Sequence, residues 1–512
     1  MRLSRLIGEI EPIQLIGLDG LDPEINAVRC RSGDVRQGDL FVAIHGLAAD
    51  GHDFAEMAVE KGASVVVSQK PLSIQAGCIV VKDSRKALAA LADAFFDKPS
   101  EKMTLIGVTG TNGKTTTAFL IENILKSAGF EVGLIGTILC RYGKESTAAG
   151  MTTPESLELQ EILHRMQRSN VTHVVMEVSS HALSLSRVDH CRMDVGVFTN
   201  LSRDHLDFHK DMESYWKSKR LLFTDILKTG SKKGKSVAVV NRTGEKGKEL
   251  FQTISGTRIS VGMDPDNMVS GRIKKSDIHG INAVIVTPAG EFEICTPLAG
   301  MHNLENILCA AGAGIAQNIS LEIIKSGIET MTLVPGRFER ISDITGRNVI
   351  VDYAHTPAAL EHVLKTLRMV ASGILICIFG CGGERDREKR SQMGEIAGRL
   401  SDLVIVTSDN PRREDPLEII AQIESGVVGA GLEKINPSEL TLWTGRPVYL
   451  TEPDRRNAIL LGVGAAKPGD SVLIAGKGHE PYQIIGQKTF PFDDREEAKH
   501  ALSFTAHFNP GE

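Results

Sequence analysis

Short apolar segments alternate along most of this chain with amphipathic segments. Residues 103–108, 195–201 and 402–407 are short, apolar and rich in β-branched side chains, which is typical of buried strands. Residues 85–96 and 118–126 instead place apolar side chains every three or four positions, as a helix does. Strands that alternate with helices predict mainly parallel sheets with helices packed on their faces. We therefore expect an α/β fold.

Two breaks in this pattern predict three domains. A small α/β domain, residues 1–100, ends at a Lys-Pro-Ser linker. Residues 101–335 form a series of strands and helices that predicts a central P-loop ATPase-like domain with a mainly parallel sheet. A Pro-Gly pair then precedes a second doubly wound series, which predicts a C-terminal Rossmann-like domain over residues 336–512. A length of 512 residues agrees with about three domains of ordinary size.

Composition narrows the class of protein. Hydrophobic residues make up 42% of the chain and charged residues 24%, as in soluble globular proteins. The net charge of -6 gives no reason to expect a nucleic acid or an anionic membrane as a partner. The N-terminus lacks a signal-peptide core, and no apolar run approaches the ~20 residues that span a bilayer. We expect a cytoplasmic protein, most simply a monomer, whose eight scattered cysteines are reduced.

The turn between the strand at 103–108 and the following helix is rich in glycine. It reads Gly-Thr-Asn-Gly-Lys-Thr-Thr at 110–116, although Val108 departs from the Walker A spacing. Backbone N–H groups at such a turn and at the helix N-terminus bind phosphate oxygens. Lys114 can reach the outer phosphates and Thr115 can offer its hydroxyl to Mg²⁺. The alternative is an ordinary turn with a solvated lysine, and we favour a nucleotide phosphate site.

Polar side chains follow two further strands of the central series. Glu177 ends the predicted strand 171–178, and His205 follows the strand at 195–201. Ligands collect at the carboxyl ends of strands in parallel sheets, and both side chains can bind a metal held against phosphates. Taken singly, Glu177 could pair with a lysine and His205 could cap a helix. Taken together, they favour a metal site.

The strand ends of the C-terminal series are also polar or rich in glycine. They include Tyr-Ala-His at 353–355, Gly-Cys-Gly-Gly-Glu-Arg at 380–385, Ser-Asp-Asn-Pro-Arg-Arg at 408–413 and Gly-Lys-Gly-His-Glu at 476–480. Arginines behind such turns suit an anionic substrate, because a guanidinium binds a carboxylate in a two-pronged fork. A kinase, a ligase that activates a carboxylate as an acyl phosphate, and a motor or switch NTPase all remain open at this point.

Several motifs together resemble the Mur ligases, the ATP-dependent amino-acid ligases of peptidoglycan precursor synthesis. They are the glycine-rich turn, Thr-Thr-Pro at 152–154, Glu-Val-Ser-Ser-His at 177–181, Asn-Leu-Ser-Arg-Asp-His-Leu-Asp at 200–207, His-Asn-Leu-Glu-Asn at 302–306 and Asp-Tyr-Ala-His-Thr-Pro at 352–357. The resemblance runs from about residue 30 to about residue 495. Asp-Asn-Pro-Arg at 409–412 resembles the motif of the family members that add meso-diaminopimelate. Arg412 can bind the distal carboxylate of diaminopimelate, whereas the amino acid lysine has no such carboxylate.

The resemblance implies a reaction and a set of site residues. The reaction joins meso-diaminopimelate to the D-glutamate γ-carboxylate of UDP-N-acetylmuramoyl-L-alanyl-D-glutamate through an acyl phosphate. The ATP site implied by the family comprises Gly110, Thr111, Asn112, Gly113, Lys114, Thr115, Thr116, Asn303, Arg337 and Asp352. The implied catalytic residues are Lys114, Glu177, His205 and Lys219, and Mg²⁺ is expected on Thr115, Glu177, His205 and Lys219. Lys219 stands where the family carries a carbamylated lysine, N6-carboxylysine.

The family also implies contacts for the two other substrates. The UDP-sugar dipeptide is expected to contact Ser32, Leu47, Ala48, Ala49, Thr152, Thr153, Ser179 and Arg187. Diaminopimelate is expected to contact Arg385, Asp409, Asn410, Pro411, Arg412, Gly476 and Glu480. The sequence departs from the family pattern at Arg31 and Gly33, beside Ser32, and His302 replaces a usual aromatic residue.

Three alternatives accompany this hypothesis. A lysine-adding ligase of the same family is the nearest, and Arg412 argues against it. A folate polyglutamate ligase shares the phosphate loop, but the 409–412 motif and the first domain argue against it. A non-catalytic scaffold of the same fold should have lost Lys114, Glu177, His205 or Lys219, and all four are present.

Overall fold

The computed structural model describes residues 1–46, 49–371 and 373–507. Two predicted substrate-binding residues, Leu47 and Ala48, lie outside the described residues. The strands form three large sheets, each within one of the predicted ranges 1–100, 101–335 and 336–512, and one small hairpin. The three-part α/β architecture with mainly parallel sheets is confirmed, while the boundaries at 100/101 and 335/336 stay predictions.

The first sheet has five strands in the order β1-β5-β4-β3-β2. Only β1 runs antiparallel, against β5 at one edge. Leu88 and Leu91 of the third helix pack on the sheet in a shared buried cluster. The elements are β1 (Pro12–Ile16), β2 (Val28–Arg29), β3 (Leu40–Val42), β4 (Val65–Ser68) and β5 (Gly77–Val81), with α1 (Leu3–Ile7), α2 (Ala55–Glu60) and α3 (Ser84–Phe95).

The second sheet has eleven strands in the order β16-β15-β14-β13-β12-β11-β6-β10-β7-β8-β9. Its strands are β6 (Thr104–Thr109), β7 (Val132–Ile135), β8 (Leu139–Tyr142), β9 (Glu145–Ala148), β10 (His173–Glu177), β11 (Val195–Phe198), β12 (Val237–Asn241), β13 (Thr257–Gly262), β14 (Val269–Asp277), β15 (Gly280–Thr287) and β16 (Gly290–Thr296). Its helices are α4 (Lys114–Ser127), α5 (Ser156–Arg168), α6 (Ser180–Ser184), α7 (Leu206–His209), α8 (Met212–Thr224), α9 (Glu245–Thr253), α10 (Met301–Ala316) and α11 (Leu321–Glu329).

The seven central strands of this sheet are parallel, and antiparallel hairpins extend it at both edges. The hairpins were not predicted. Each face carries its own core, because successive side chains of a strand point to opposite faces. Leu105 therefore packs in one buried cluster and Ile106 in the other. The predicted strand 171–178 is two residues shorter at its start, and the predicted helix 118–126 begins earlier, at Lys114.

The third sheet has seven strands in the order β17-β18-β23-β19-β20-β22-β21, and only β17 is antiparallel. The strands are β17 (Glu339–Ile341), β18 (Asn348–Asp352), β19 (Leu375–Phe379), β20 (Leu403–Val406), β21 (Glu433–Lys434), β22 (Val448–Thr451) and β23 (Ser471–Ala475), and β24 (Tyr482–Ile485) and β25 (Lys488–Pro491) form the hairpin. The helices are α12 (Pro357–Val370), α13 (Glu388–Leu400), α14 (Pro416–Gly429), α15 (Arg455–Ala465) and α16 (Asp494–His507). Among the described helices, none combines the length and apolarity that a membrane crossing requires.

Candidate active site

The glycine-rich turn is held in a shape that only glycine allows at two positions. Gly110 has a φ of 148°, and a Cβ there would lie 1.8 Å from Thr199 Oγ1. Gly113 has a φ of 83°, and a Cβ there would lie 2.1 Å from Asn306 Oδ1. At both positions φ is positive and a neighbouring side chain lies against the backbone. A residue with a Cβ would be strained there and would clash. The turn therefore delivers the N-terminus of α4 to the carboxyl end of β6.

Lys114 opens α4 and folds back over this turn. Its Nζ donates to Gly110 O over 3.0 Å and to Thr111 O over 2.8 Å. Burial lowers the pKa of Lys114. The amine is thus held at the phosphate-binding turn by backbone carbonyls, which a phosphate oxygen can replace as its partner.

Thr115, in the first turn of α4, meets Glu177 at the end of β10, the strand next to β6. Thr115 Oγ1 donates to Glu177 Oε2 over 3.0 Å, and the carboxylate also accepts from Thr137 Oγ1 at 2.9 Å and Thr137 N at 2.8 Å. Glu177 is only 1% exposed. In the described part of the chain no lysine forms an ion pair with it, although its charge acts on the nearby Lys114. A buried carboxylate beside a hydroxyl can hold one divalent cation.

His205 lies in the loop after β11 with a left-handed φ of 55°. It occupies the position before α7, yet its side chain makes no capping hydrogen bond. The ring lies 3.4 Å (Nε2) from Asp204 Oδ2 and 4.9 Å (centroids) from the ring of His181. Burial lowers the pKa of His205 to about 3 against the opposing effect of Asp204. The imidazole is therefore neutral near pH 7, which is the form that binds a metal.

Lys219 of α8 points into the protein and is 1% exposed. Its Nζ donates to Gly110 O over 2.7 Å and lies 4.5 Å from the centroid of the Tyr215 ring. Burial, and then the nearby charge of Lys114, lower its pKa well below the ordinary value. No carboxylate forms an ion pair with it among the residues that the structure describes. Lys219 is therefore a buried amine with a reduced tendency to be protonated.

The donor set fits a metal only in part. Among the described residues, no group of three or more His, Cys, Asp and Glu side chains could hold an ion. Thr115 and Glu177 are in contact and supply oxygen donors for one ion. An unmodified amine at Lys219 is a poor Mg²⁺ ligand, because Mg²⁺ prefers oxygen. A second site that includes Lys219 therefore needs a carboxylated side chain.

A cavity of about 540 Å³ opens beside the phosphate-binding turn, between the central and C-terminal sheets. Asn303 is held by a hydrogen bond from its Nδ2 to Ala299 O over 2.7 Å. Asp352 accepts from Phe338 N at 2.6 Å and Ala354 N at 2.8 Å. The predicted ATP-site residues that line this cavity are Asn112, Gly113, Thr116, Asn303, Arg337 and Asp352. Tyr353, which the sequence placed in a motif without assigning it a role, and His362, which the sequence did not single out, also line it.

A second cavity, also of about 540 Å³, lies at the carboxyl ends of β19, β20 and β23. Its lining includes seven predicted substrate residues, Thr152, Arg385, Asp409, Asn410, Arg412, Gly476 and Glu480, together with His205. Tyr353 lines both cavities. The two cavities therefore share a wall, with the predicted metal ligand His205 at the second one.

Two guanidinium groups of this second cavity have no carboxylate partner among the residues that the structure describes. Arg412 Nη1 donates to Gly383 O over 2.7 Å, and Arg385 Nη1 donates to Glu384 O over 3.1 Å. Neither forms an ion pair with a carboxylate of the described residues. Burial, and then the charge of Arg385, lower the pKa of Arg412. Two neighbouring positive charges that only carbonyls satisfy make a binding site for an anion.

An acidic group lines the same cavity. Glu480 Oε2 accepts from Asn410 Nδ2 at 2.8 Å and from Lys477 Nζ at 3.3 Å. Burial, and then the charge of Asp409, raise the pKa of Glu480. Lys477 is fully buried and was missed, although it lies within the quoted motif at 476–480. The cavity thus presents positive and negative groups to one ligand, as a zwitterionic amino acid requires.

The structure brings together only some of the remaining predicted substrate-binding residues. Thr153 Oγ1 donates to Glu177 O over 2.8 Å, accepts from Ser179 N at 3.1 Å, and its carbonyl accepts from Arg187 Nη1 at 3.2 Å. Arg187 also pairs with Glu155 at 2.7 Å, a residue that the sequence did not single out. The remaining substrate candidates Ser32, Ala49 and Pro411 line neither cavity.

Models of known protein families match most of the chain. The model of the Mur ligase middle domain matches residues 108–314, and the Mur ligase glutamate ligase domain matches residues 336–478. The model described as the Mur ligase family catalytic domain matches residues 24–96.

Two curated relatives extend over nearly the whole length. A UDP-N-acetylmuramoyl-L-alanyl-D-glutamate–2,6-diaminopimelate ligase of Geobacter metallireducens is 46% identical, with 98% of each chain covered. The enzyme of the same name from Bacillus velezensis is 42% identical over 98% of this chain and 99% of its own.

Solved structures agree at the level of the fold. A structure of a UDP-N-acetylmuramoyl-L-alanyl-D-glutamate–2,6-diaminopimelate ligase has a TM-score of 0.65 and 30% identity, with 94% of this chain and 96% of that chain covered. MurF from Acinetobacter baumannii has a TM-score of 0.65 at 18% identity, over 98% of this chain and 97% of its own. The family models and the relatives that match over nearly the full length show that this chain belongs to the Mur ligase family.

Proposed function

We propose that this protein uses ATP to join meso-diaminopimelate to the D-glutamate γ-carboxylate of UDP-N-acetylmuramoyl-L-alanyl-D-glutamate. The observation that carries the proposal is the second cavity, where the unpaired guanidinium groups of Arg385 and Arg412 share a lining with Glu480. Diaminopimelate offers a distal carboxylate for the guanidinium groups and an ammonium for Glu480. The names of the curated relatives, which are diaminopimelate ligases, support the same substrate.

The ATP phosphates would bind at residues 110–116, with the base beside Asn303 and His302. Lys114 would move from its carbonyl partners to the γ-phosphate and neutralise charge as the phosphoryl group transfers. The γ-carboxylate of the substrate's D-glutamate attacks that phosphorus, so an acyl phosphate forms and ADP leaves. Thr152, Thr153, Ser179 and Arg187 would hold the UDP-sugar dipeptide, together with Ser32 and the backbone of residues 47–49.

The amino group of diaminopimelate then attacks the acyl carbon. Phosphate leaves, the amine loses a proton, and the amide forms. Tyr353, which lines both cavities, would bring the two reactants close to each other. Water must be excluded during this step, because it would hydrolyse the acyl phosphate.

Thr115 and Glu177 would hold one Mg²⁺ ion, and His205 and a carbamylated Lys219 would hold a second. Bound Mg²⁺ neutralises phosphate charge in phosphoryl transfer. The buried, weakly basic Lys219 supports the modification, since the neutral amine is the form that reacts with carbon dioxide. We keep as predictions that the protein is cytoplasmic and monomeric and binds neither nucleic acid nor membranes.

The test is ADP release by the purified protein with ATP, Mg²⁺ and the UDP-sugar dipeptide. Parallel reactions contain meso-diaminopimelate, L-lysine or no amino acid. We expect ADP release only with diaminopimelate, with a product of the corresponding mass. A preference for lysine would still support a ligase reaction but would contradict the role proposed for Arg412. No release with any amino acid would reject the proposed reaction in favour of a non-catalytic role or a different carboxylate substrate.

A further inference from the structure

One buried arginine connects two of the loops that line the second cavity. Arg455 begins α15 and its side chain is fully buried. Its Nη1 donates to Ser408 O over 3.2 Å, and its Nη2 donates to Ala475 O over 2.9 Å. These carbonyls directly precede Asp409 and Gly476, which line the cavity. Arg455 itself does not line it.

The two loops follow strands that are not neighbours in the sheet. β20 and β23 are separated by β19, so no hydrogen bond of the sheet joins them directly. Their loops nevertheless approach closely, since a Cβ at Gly476 would lie 2.7 Å from Asp409 Oδ2. The fork of Arg455 spans the end of β19 and sets the spacing of the two carbonyls.

The C-terminal helix supplies the counter-charge. Asp494 is the first residue of α16 and is fully buried. Its Oδ1 accepts from Arg455 Nε at 2.7 Å, and its Oδ2 accepts from Nη2 at 2.7 Å. A two-pronged pair of this kind fixes the plane of the guanidinium. α16 lies beyond the segment that the family models match, which ends at residue 478.

We propose that Arg455 is a positioning residue that holds the Asp409 and Gly476 loops at the spacing required by the amino-acid substrate, with Asp494 orienting its fork. This inference rests on the proposed function. A lysine at position 455 keeps the charge but is a point donor, and it cannot satisfy four acceptors in one plane. Arg455→Lys therefore tests the fork rather than the charge.

The chain contains a matched control pair at the opposite end of the strands in the same sheet. Arg347 and Asp343 are 6% and 3% exposed and lie 2.9 Å apart, Nε to Oδ2. Arg347 Nη1 also donates to a backbone carbonyl, Val463 O, over 3.3 Å. Arg347 precedes β18, whereas both cavities lie at the carboxyl ends of the strands, and neither residue of the pair lines either of these two cavities.

The experiment compares the full-length wild type with Arg455→Lys, Asp494→Asn and Arg347→Lys. It measures the KM of each substrate, kcat, and the melting temperature. We expect Arg455→Lys and Asp494→Asn to raise the KM for diaminopimelate about tenfold or more, while the KM values for ATP and the UDP-sugar dipeptide change less than about twofold. Arg347→Lys should leave all three KM values unchanged, even where its melting temperature falls.

An unchanged KM for diaminopimelate in Arg455→Lys would overturn the inference. So would a parallel rise of all three KM values, which would indicate a general loss of structure. Should Arg455→Lys fail to fold, Asp494→Asn carries the same prediction, because it removes only the counter-charge. A wild type without diaminopimelate-dependent turnover would reject the proposed function, whereas an active wild type with an unaffected Arg455→Lys rejects the positioning role alone.

Discussion

Arg337 Nη2 donates a hydrogen bond to Thr115 Oγ1 over 3.1 Å, across 222 positions of sequence. The same guanidinium lies 4.6 Å from the centroid of the Tyr353 ring. Arg203 adds a second connection between the central and C-terminal sheets through Asp386, at 3.5 Å, and Glu388. The residues after Pro335 thus place a positive charge directly at the phosphate-binding turn.

Arg337→Met should therefore slow the reaction. Removing a charge that faces the transferring phosphoryl group should lower kcat about 100-fold or more, on the scale of a lost transition-state donor. Arg340→Met is the matched control, since Arg340 is exposed and bonds His279 instead. Steady-state kinetics of both variants would check this, and equal kcat values for the two would contradict it.

Arg412→Met should weaken the use of diaminopimelate. A charge-assisted pair with the distal carboxylate contributes about 1.5–3 kcal/mol, so kcat/KM should fall about 10- to 150-fold. The KM values for ATP and the UDP-sugar dipeptide, which are not the substrates assigned to Arg412, should change much less. Arg413→Met is the control, because Arg413 is the exposed neighbour. A parallel rise of the KM values for all three substrates would show that Arg412 acts on folding rather than on recognition.

Lys219 should carry a carbamate. Burial lowers its pKa, so the amine is available to carbon dioxide, whereas the exposed Lys217 on the same helix is solvated. Incubation with isotope-labelled bicarbonate should give a carbamate resonance by NMR. The resonance should disappear in Lys219→Arg and persist in Lys217→Arg. A spectrum of the wild type without it would remove Lys219 from the proposed metal ligands.

His302 should make the protein less stable in mild acid. Burial, and then the nearby His362, lower its pKa from 6.5 to about 4. Between these values the unfolded chain binds a proton that the folded chain does not, so stability falls as the pH falls from 6.5 to 4. His302→Phe should flatten this part of the melting-temperature profile, whereas the exposed His500→Phe should not. Identical profiles for the wild type and His302→Phe would contradict the prediction.

Local pattern was sufficient for the elements and for the phosphate-binding turn. β20 (Leu403–Val406) lies within the predicted segment 402–407, because a buried parallel strand is a continuous apolar run. Lys114 and Thr115 were found because their chemistry lies within seven consecutive residues. The edge hairpins of the central sheet were missed, since the predicted series contained only the apolar strands of its parallel centre.

The pattern of hydrophobic and polar residues could not reveal contacts between residues that are far apart in the sequence. Lys477 and Arg455 are fully buried charges, and a sequence without structure suggests that such residues are solvated. Arg455 pairs with Asp494, 39 positions away, and Lys477 bonds Asn410, 67 positions away, in addition to its local partner Glu480. The family resemblance suggested a role for Lys219, but nothing local indicated its burial.

The sequence by itself determined the alternation of parallel strands and helices, the α/β class and the phosphate-binding turn, because each depends on neighbouring residues. It also located polar groups at the strand ends. Only the tertiary structure decided which of those ends meet, that Tyr353 lies between two cavities, and that Arg385 and Arg412 have no carboxylate partner among the described residues. The physical reason is that burial and charge compensation depend on the packing of distant segments, which spacing along the chain does not record.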